Sequence, residues 1–173
     1  MNILQTGNPR LKEKSRKIPL SEITDKEIKK ILRDMKETLR KEPQGIGLAA
    51  IQIGIPKNIF IVSKYVLDPE SFPEKEDAEK LKLKKEKESY LVFINPRLVK
   101  SSRKKALLPE GCLSVRKKFG VVKRATNLTV EAHDENGNKF VRGAGGLLAH
   151  VVQHELDHLD GVLFTDKTES MEK

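Results

Sequence analysis

Apolar residues recur three or four positions apart between residues 21 and 41, where Ile23, Ile28, Ile31, Leu32, Met35 and Leu39 alternate with charged positions. This spacing lays one apolar stripe along a helix, with acidic residues in the early turns and the basic pair Arg40 and Lys41 at the end. Pro43, Gly45 and Gly47 mark its stop. Residues 58–63 instead string Ile59, Phe60, Ile61 and Val62 together, a short β-branched run that predicts a buried strand. Residues 90–94 predict a second strand, and residues 95–105 a turn made basic by Arg97, Lys100, Arg103, Lys104 and Lys105. Two alternating runs between residues 121 and 141 flank Asp134, Glu135, Asn136, Gly137 and Asn138. They predict a hairpin whose positive-φ positions fall on Asn136 and Gly137, with His133 as a polar strand end. Finally, Leu147, Leu148, Val151, Val152, Leu156 and Leu159 fall on helical spacing across residues 145–161, closed by Gly161. That segment is apolar around most of its circumference and is expected inside the domain.

Composition adds constraints to this pattern. The 173 residues suit a single domain, 1–173, in which residues 68–89, a balanced mixture of Lys and Glu with few apolar positions, read as a charged surface insertion. Charged residues make up 34% of the chain, above the roughly 25% of ordinary soluble domains. The 34 Lys and Arg against 25 Asp and Glu leave a charge of +9, which favours nucleic acid, ribosome or acidic surfaces without choosing among them. Cys112 is the only cysteine, so there is no disulfide partner within the chain, and a reducing, cytoplasmic setting is expected. The N-terminus lacks a signal-peptide core and no run of about 18 apolar residues occurs, so neither secretion nor a membrane span is expected.

The inner helix carries the chemistry, in His154, Glu155, Leu156, Asp157 and His158. Histidines four apart stand one above the other on a helix face and can grip one metal ion, while the glutamate between them can serve as a general base without coordinating it. Two histidines and a carboxylate on a buried helix are costly unless ligated or paired. Asp157 either orients a neighbour or faces outward. His150 shares the face but lies two turns from His158, too far for three histidines on one straight helix to meet at one ion, so it is read as pocket lining or packing. Cys112 is the obvious third ligand, against the alternative of a small buried hydrophobe.

Three segments settle its context. GIGLAAIQ (45–52), EGCLS (110–114) and QHELDHLDG (153–161) resemble the signature motifs of peptide deformylase, in the family's order and spacing, and the likeness runs from GNPRL near the N-terminus to GVLF at 161–164. The resemblance implies an enzyme that removes the N-formyl group from the formylmethionine of nascent proteins, using one divalent ion, Fe2+ first and Zn2+ or Ni2+ as alternatives. It implies Cys112, His154 and His158 as metal ligands and Glu155 as the acid and base, with Gln52 and the backbone N–H of Leu113 stabilising the oxyanion. It places Ile46, Gly47, Glu110 and Gly111 along the substrate cleft, and Leu108, Leu147, His150 and Val151 around the methionine side chain. The implied fold is α+β, with small antiparallel sheets around a central metal-binding HExxH helix. On the residues alone, Gln52 serves equally well to satisfy a buried turn, and Gly45 and Gly47 serve as turn residues.

The chain also departs from the family pattern. Arg116 stands where many relatives have proline, and residues 68–89 make a long insertion. Nine residues follow Phe164, so the extended basic C-terminal helix of many bacterial relatives is not expected. Ribosome contact would need another basic surface, residues 97–105 or 116–118. Two rival readings remain at this level. A zincin-type peptidase shares HExxH but takes its third ligand downstream, where Asp160, Asp166, Glu169 and Glu172 are the candidates. A non-catalytic basic protein with a structural metal would want a fourth protein ligand.

Overall fold

The computed structural model of the protein describes residues 1–67 and 89–172; the charged segment expected as a surface insertion lies, apart from Ser89, outside them. Helix α1 spans Lys26–Arg40 and strands β1 and β2 span Gly47–Ala49 and Ile59–Ser63. Strands β3 to β7 follow at Tyr90–Ser101, Lys105–Cys112, Val115–Ala125, Asn127–His133 and Lys139–Gly145, then helix α2 at Gly146–Leu159 and strand β8 at Ser170–Glu172. All strand pairs are antiparallel, in one sheet ordered β1-β2-β3-β6-β7 and a second ordered β4-β5-β8. This is the expected α+β class.

The continuous apolar run of β2 is explained by what covers the larger sheet. Ile59 and Ile61 join Ile28, Ile31, Leu32, Met35 and Leu39 of α1 in one core cluster. Phe60 and Val62, pointing to the opposite face, join Leu148, Ala149, Val151 and Val152 of α2 in another. A strand covered on both faces has no reason to alternate apolar with polar residues. Phe60 pairs with Phe93 across β2 and β3, the rings stacked with centroids 4.5 Å apart, and Phe140 meets Phe93 edge-on at 5.5 Å. The larger sheet thus packs against α2, the helix that carries the HExxH turn.

Four expectations need correction. The first helix begins at Lys26, because residues 20–22 form a separate 3-10 turn and Asp25 is extended at its N-cap. Strand β3 does not end at Ile94. Pro96 falls in a register shift between Ile94 and Arg97, where its missing N–H leaves no ladder position unfilled, and pairing with β6 resumes through Ser101. Asn95 takes φ 51 at this bulge, and its amide exchanges hydrogen bonds with the backbone of Ile18 at 2.7 and 2.8 Å. Residues 105–125 contain a hairpin, β4 with β5, that their pattern did not predict. At the 134–138 turn only Gly137 has positive φ; the Asp134 carboxylate shapes the rest by accepting the N–H groups of Asn136 and Asn138, both at 2.9 Å. Among the described residues no helix is long and apolar enough to cross a membrane.

Candidate active site

Helix α2 presents His154 and His158 toward the turn that joins β4 to β5, and that turn delivers Cys112. The Sγ of Cys112 lies 3.2 Å from Nε2 of His158, and one ligand atom from each of Cys112, His154 and His158 falls within 4.8 Å of the others. Three soft and imidazole donors this close suit a single tetrahedral ion, for which metal–sulfur and metal–nitrogen distances of about 2.3 and 2.0 Å place neighbouring ligands roughly 3.3 to 3.8 Å apart. Burial holds His158 neutral, with the nearby His154 acting in the same direction, and neutral imidazole is the ligating form. Nδ1 of His158 and Oε2 of Glu155 are buried with no hydrogen-bond partner among the described residues. Burial pushes the Cys112 thiol up to about 12, so a metal must displace its proton to bind the sulfur. The backbone N–H of Ser114 already points at that sulfur, 3.4 Å away, and favours the thiolate.

Glu110 fixes the imidazoles. Its Oε1 accepts from Arg124 Nε at 2.7 Å and lies 2.5 Å from His150 Nε2; its Oε2 accepts from another Arg124 nitrogen at 3.0 Å and lies 2.8 Å from His154 Nδ1. These four contacts use all the lone-pair directions of an ionised carboxylate. Although burial works against ionisation, the bonds from His150, His154 and Arg124 prevail and hold Glu110 far below the usual carboxylate range. A carboxylate can only accept, so His154 carries its proton on Nδ1 and leaves Nε2 for a metal. Glu110 lines the cleft, but its carboxylate is occupied. His150 lines the cleft too and bonds Glu110, outside the three-residue ligand cluster.

Arg124, unremarkable in the pattern of the chain, anchors this network. Besides gripping Glu110 it donates to Asp157 Oδ2 at 2.5 Å, and Lys167 holds the other oxygen of Asp157 at 2.6 Å. Asp157 therefore orients a neighbour rather than facing outward. The signal was present in β5, where Arg124 follows Val122 by two positions and so shares its buried face.

Gln52 does two things at once. Its Oε1 accepts the Ala49 N–H at 2.8 Å, fixing the 3-10 turn of residues 50–53, while its Nε2 donates to Ser114 Oγ at 3.1 Å and faces Cys112 Sγ at 3.6 Å. The amide is thereby oriented beside the sulfur of Cys112. Glu155, buried at the wall of the cleft, is pushed well above the ordinary carboxyl range by burial and by the Glu110 charge.

These groups open onto a cleft of about 510 Å3 whose walls include Ile46, Gly47, Gly111, Leu113, Leu147 and Val151. Leu108 is not among the lining residues. It pairs with Val122 along the β4–β5 ladder, and the adjacent Pro109 faces the cleft instead. At Gly47 a Cβ would stand 2.3 Å from Glu155 Oε1 and 3.1 Å from Val151 Cγ1. Gly47→Ala is accordingly expected to displace the Glu155 carboxylate and lower turnover by about 100-fold, the scale of a misplacement near 1 Å, with metal content unchanged. Steady-state kinetics beside metal analysis checks this, and turnover within a few-fold of wild type would refute it.

Comparison with known proteins agrees with this geometry. A family model described as polypeptide deformylase matches residues 1–173. The chain is 41% identical over 170 residues to the chloroplastic peptide deformylase 1A of Solanum lycopersicum, covering 96% of this chain and 58% of that protein. It is 38% identical over 164 residues to the peptide deformylase of Zymomonas mobilis, covering 95% and 83%. A solved peptide deformylase from Plasmodium falciparum is similar with a TM-score of 0.78 at 30% identity, covering 98% of this chain and 87% of that one.

Proposed function

The chain belongs to the polypeptide deformylase family, and from that membership we propose that Cys112, His154 and His158 hold one divalent metal ion, beside which Glu155 moves the proton in the family's reaction. Enzymes of this family remove the N-formyl group from nascent proteins and depend on a metal. The observation that carries the assignment is the convergence of one thiol and two imidazoles within 4.8 Å, next to a buried carboxyl group with an unpartnered oxygen. A downstream acidic ligand of the zincin kind finds no support: among the described residues the third member of the cluster is Cys112, Asp160 and Asp166 are turned to Lys14 and Lys12, and Glu169 is exposed.

A divalent ion bound there supplies Lewis-acid activation of water and of the formyl carbonyl. This chain's residues do the rest. Glu155, buried beside the ligand cluster, takes a proton from the attacking water as the carboxylate, the form that a divalent cation held there would favour, and returns it to the departing amine, which becomes the free N-terminus. Negative charge grows on the formyl oxygen, where Gln52 Nε2 and the backbone N–H of Leu113 are proposed to receive it; Gln52 cannot swing away because Ala49 and Ser114 hold its amide. Gly47 and Gly111 let the peptide backbone approach the two walls as an added strand. The thiolate and two imidazoles suit several divalent ions; Fe2+ is proposed first from family membership, with Zn2+ or Ni2+ as alternatives.

Formate release from a formyl-methionyl tripeptide, abolished by a chelator and restored by Fe2+, tests this reading; unimpaired release from protein free of metal would reject it. A thiolate ligand favours a reducing compartment, and the cytoplasm is the proposed location. The exposed bases Lys100, Arg103, Lys104 and Lys105 around the β3–β4 turn support association with the ribosome. Sedimentation with ribosomes at low salt and release at high salt would bear this out, and no sedimentation at low salt would exclude it.

A further inference from the structure

Arg116, Lys117 and Lys118 occupy an irregular place in the β4–β5 hairpin. Gly111 pairs with Phe119, whereas the next residue of β4, Cys112, pairs with Val115. Three residues of β5 therefore have no counterpart on β4 and bulge out of the ladder immediately beside the metal-ligating cysteine. Lys117 takes φ 61 there, a left-handed conformation that a residue with a Cβ seldom adopts. Bulges beside active sites re-aim side chains, and strain of this kind persists where the surrounding structure enforces it. All three bulged residues are exposed and line the same cleft as Gly47, Gly111 and Glu155.

The charges along the cleft are correspondingly lopsided. Arg116 crosses to Glu42 on the opposite lip, 3.1 Å away, so these two charges offset each other. Glu110 is offset within its buried network by the guanidinium of Arg124. Glu155 is buried in the wall of the cleft, whereas the bulge is exposed. Lys117 and Lys118 have no ion-pair partner among the described residues, which leaves two positive charges at the mouth. A substrate that presents its formyl group to the metal centre can extend only from its methionine toward the C-terminus, and that extension must leave through the mouth.

We infer that the bulge of Arg116, Lys117 and Lys118 is a specificity element that favours formyl-methionyl chains carrying Asp or Glu among the residues directly after the methionine. The inference rests on the deformylase reading and deepens it by naming the class of nascent chain preferred. Lysine ammonium groups attract carboxylates without fixing their geometry, so the preference is for charge rather than for a single sequence. The ammonium groups take no part in the proposed chemistry, so they act on binding, and their effect falls on KM with kcat little altered.

The test uses the whole metal-loaded enzyme and three peptides, formyl-Met-Glu-Glu-Ser, formyl-Met-Gln-Gln-Ser and formyl-Met-Lys-Lys-Ser. At low salt the glutamate peptide is expected to exceed the glutamine peptide in kcat/KM by about 3- to 10-fold, the scale of two exposed charge contacts, with the lysine peptide lowest. The advantage should reside in KM and shrink toward unity as salt rises through about 0.5 M. In a Lys117→Glu/Lys118→Glu variant the order of glutamate and lysine peptides should reverse. Equal kcat/KM for all three in the wild type, an advantage insensitive to salt, or an unchanged order in the variant would each overturn the inference while leaving deformylation intact. The wild-type ratio and its salt dependence decide the matter even if the variant does not fold. Formate from none of the three peptides would instead overturn the deformylase reading, and the inference with it.

Discussion

Glu155→Gln is expected to lower formate release by about 10^3- to 10^4-fold while leaving metal content at the wild-type level, because general acid–base catalysis contributes on that scale and Glu155 is not among the three proposed ligands. The substitution keeps the shape of the side chain and removes only its ability to take and return a proton. Stability should not suffer, since burial and the neighbouring Glu110 already disfavour the charged form of Glu155. Glutamine avoids the cost of ionisation in that place. The pattern to look for is therefore a folded, metal-replete and inactive protein, established by metal analysis, thermal unfolding and turnover on one preparation. Turnover within about tenfold of wild type would mean that the proton is moved by another group. Loss of metal together with activity would instead make Glu155 part of the ligand set.

Arg124→Met is expected to have the largest effect on folding. Arg124 is nearly inaccessible and bridges Glu110 and Asp157, so its removal leaves one fully buried carboxylate dependent on two histidines and another dependent on the exposed Lys167. Breaking a buried pair by deleting one partner costs about 3 to 5 kcal/mol, where deleting both partners can be neutral. In a chain of this size the loss corresponds to a fall in Tm of about 6 to 20 °C. Metal affinity should fall as well, by about 10- to 100-fold, because Glu110 fixes the proton on Nδ1 of His154 and so leaves Nε2 as the nitrogen for the proposed metal. Arg124→Lys should not rescue either property, since a single ammonium cannot reproduce the fork that spans both oxygens of Glu110 and reaches Asp157. Thermal unfolding and metal titration of the two variants measure these effects. A Tm unchanged in Arg124→Met would show that the network does not hold the site together.

Much of this was legible from the chain. The HExxH helix declared itself twice, through ligand spacing and through apolar flanks that required burial, and α2 is buried along Leu148, Val151, Val152 and Leu159. Cys112 could be singled out because it is the only thiol. The β4–β5 hairpin was not legible. Its turn is Leu113 and Ser114, with none of the glycine or asparagine that marks a tight hairpin, and the bulge of residues 116–118 breaks the alternation that reveals a strand. The importance of Arg124 disappeared with that hairpin, because only the pairing of β4 with β5 brings it to Glu110. Pro96 concealed the continuation of β3 for a similar reason: a proline ordinarily ends a central strand, and here a bulge absorbs it. Local periodicity records which face of an element is buried; it does not record the partner that a long-range pairing supplies.

The most direct test of the central claim sets the wild type beside Cys112→Ala, both purified without oxygen, and measures bound metal and formate release from a formyl-methionyl tripeptide on the same samples. The account predicts about one divalent ion per chain with steady formate production in the wild type, and loss of both in Cys112→Ala. Wild-type protein that carries its metal yet releases no formate, or a Cys112→Ala variant that keeps full metal and full activity, would contradict it.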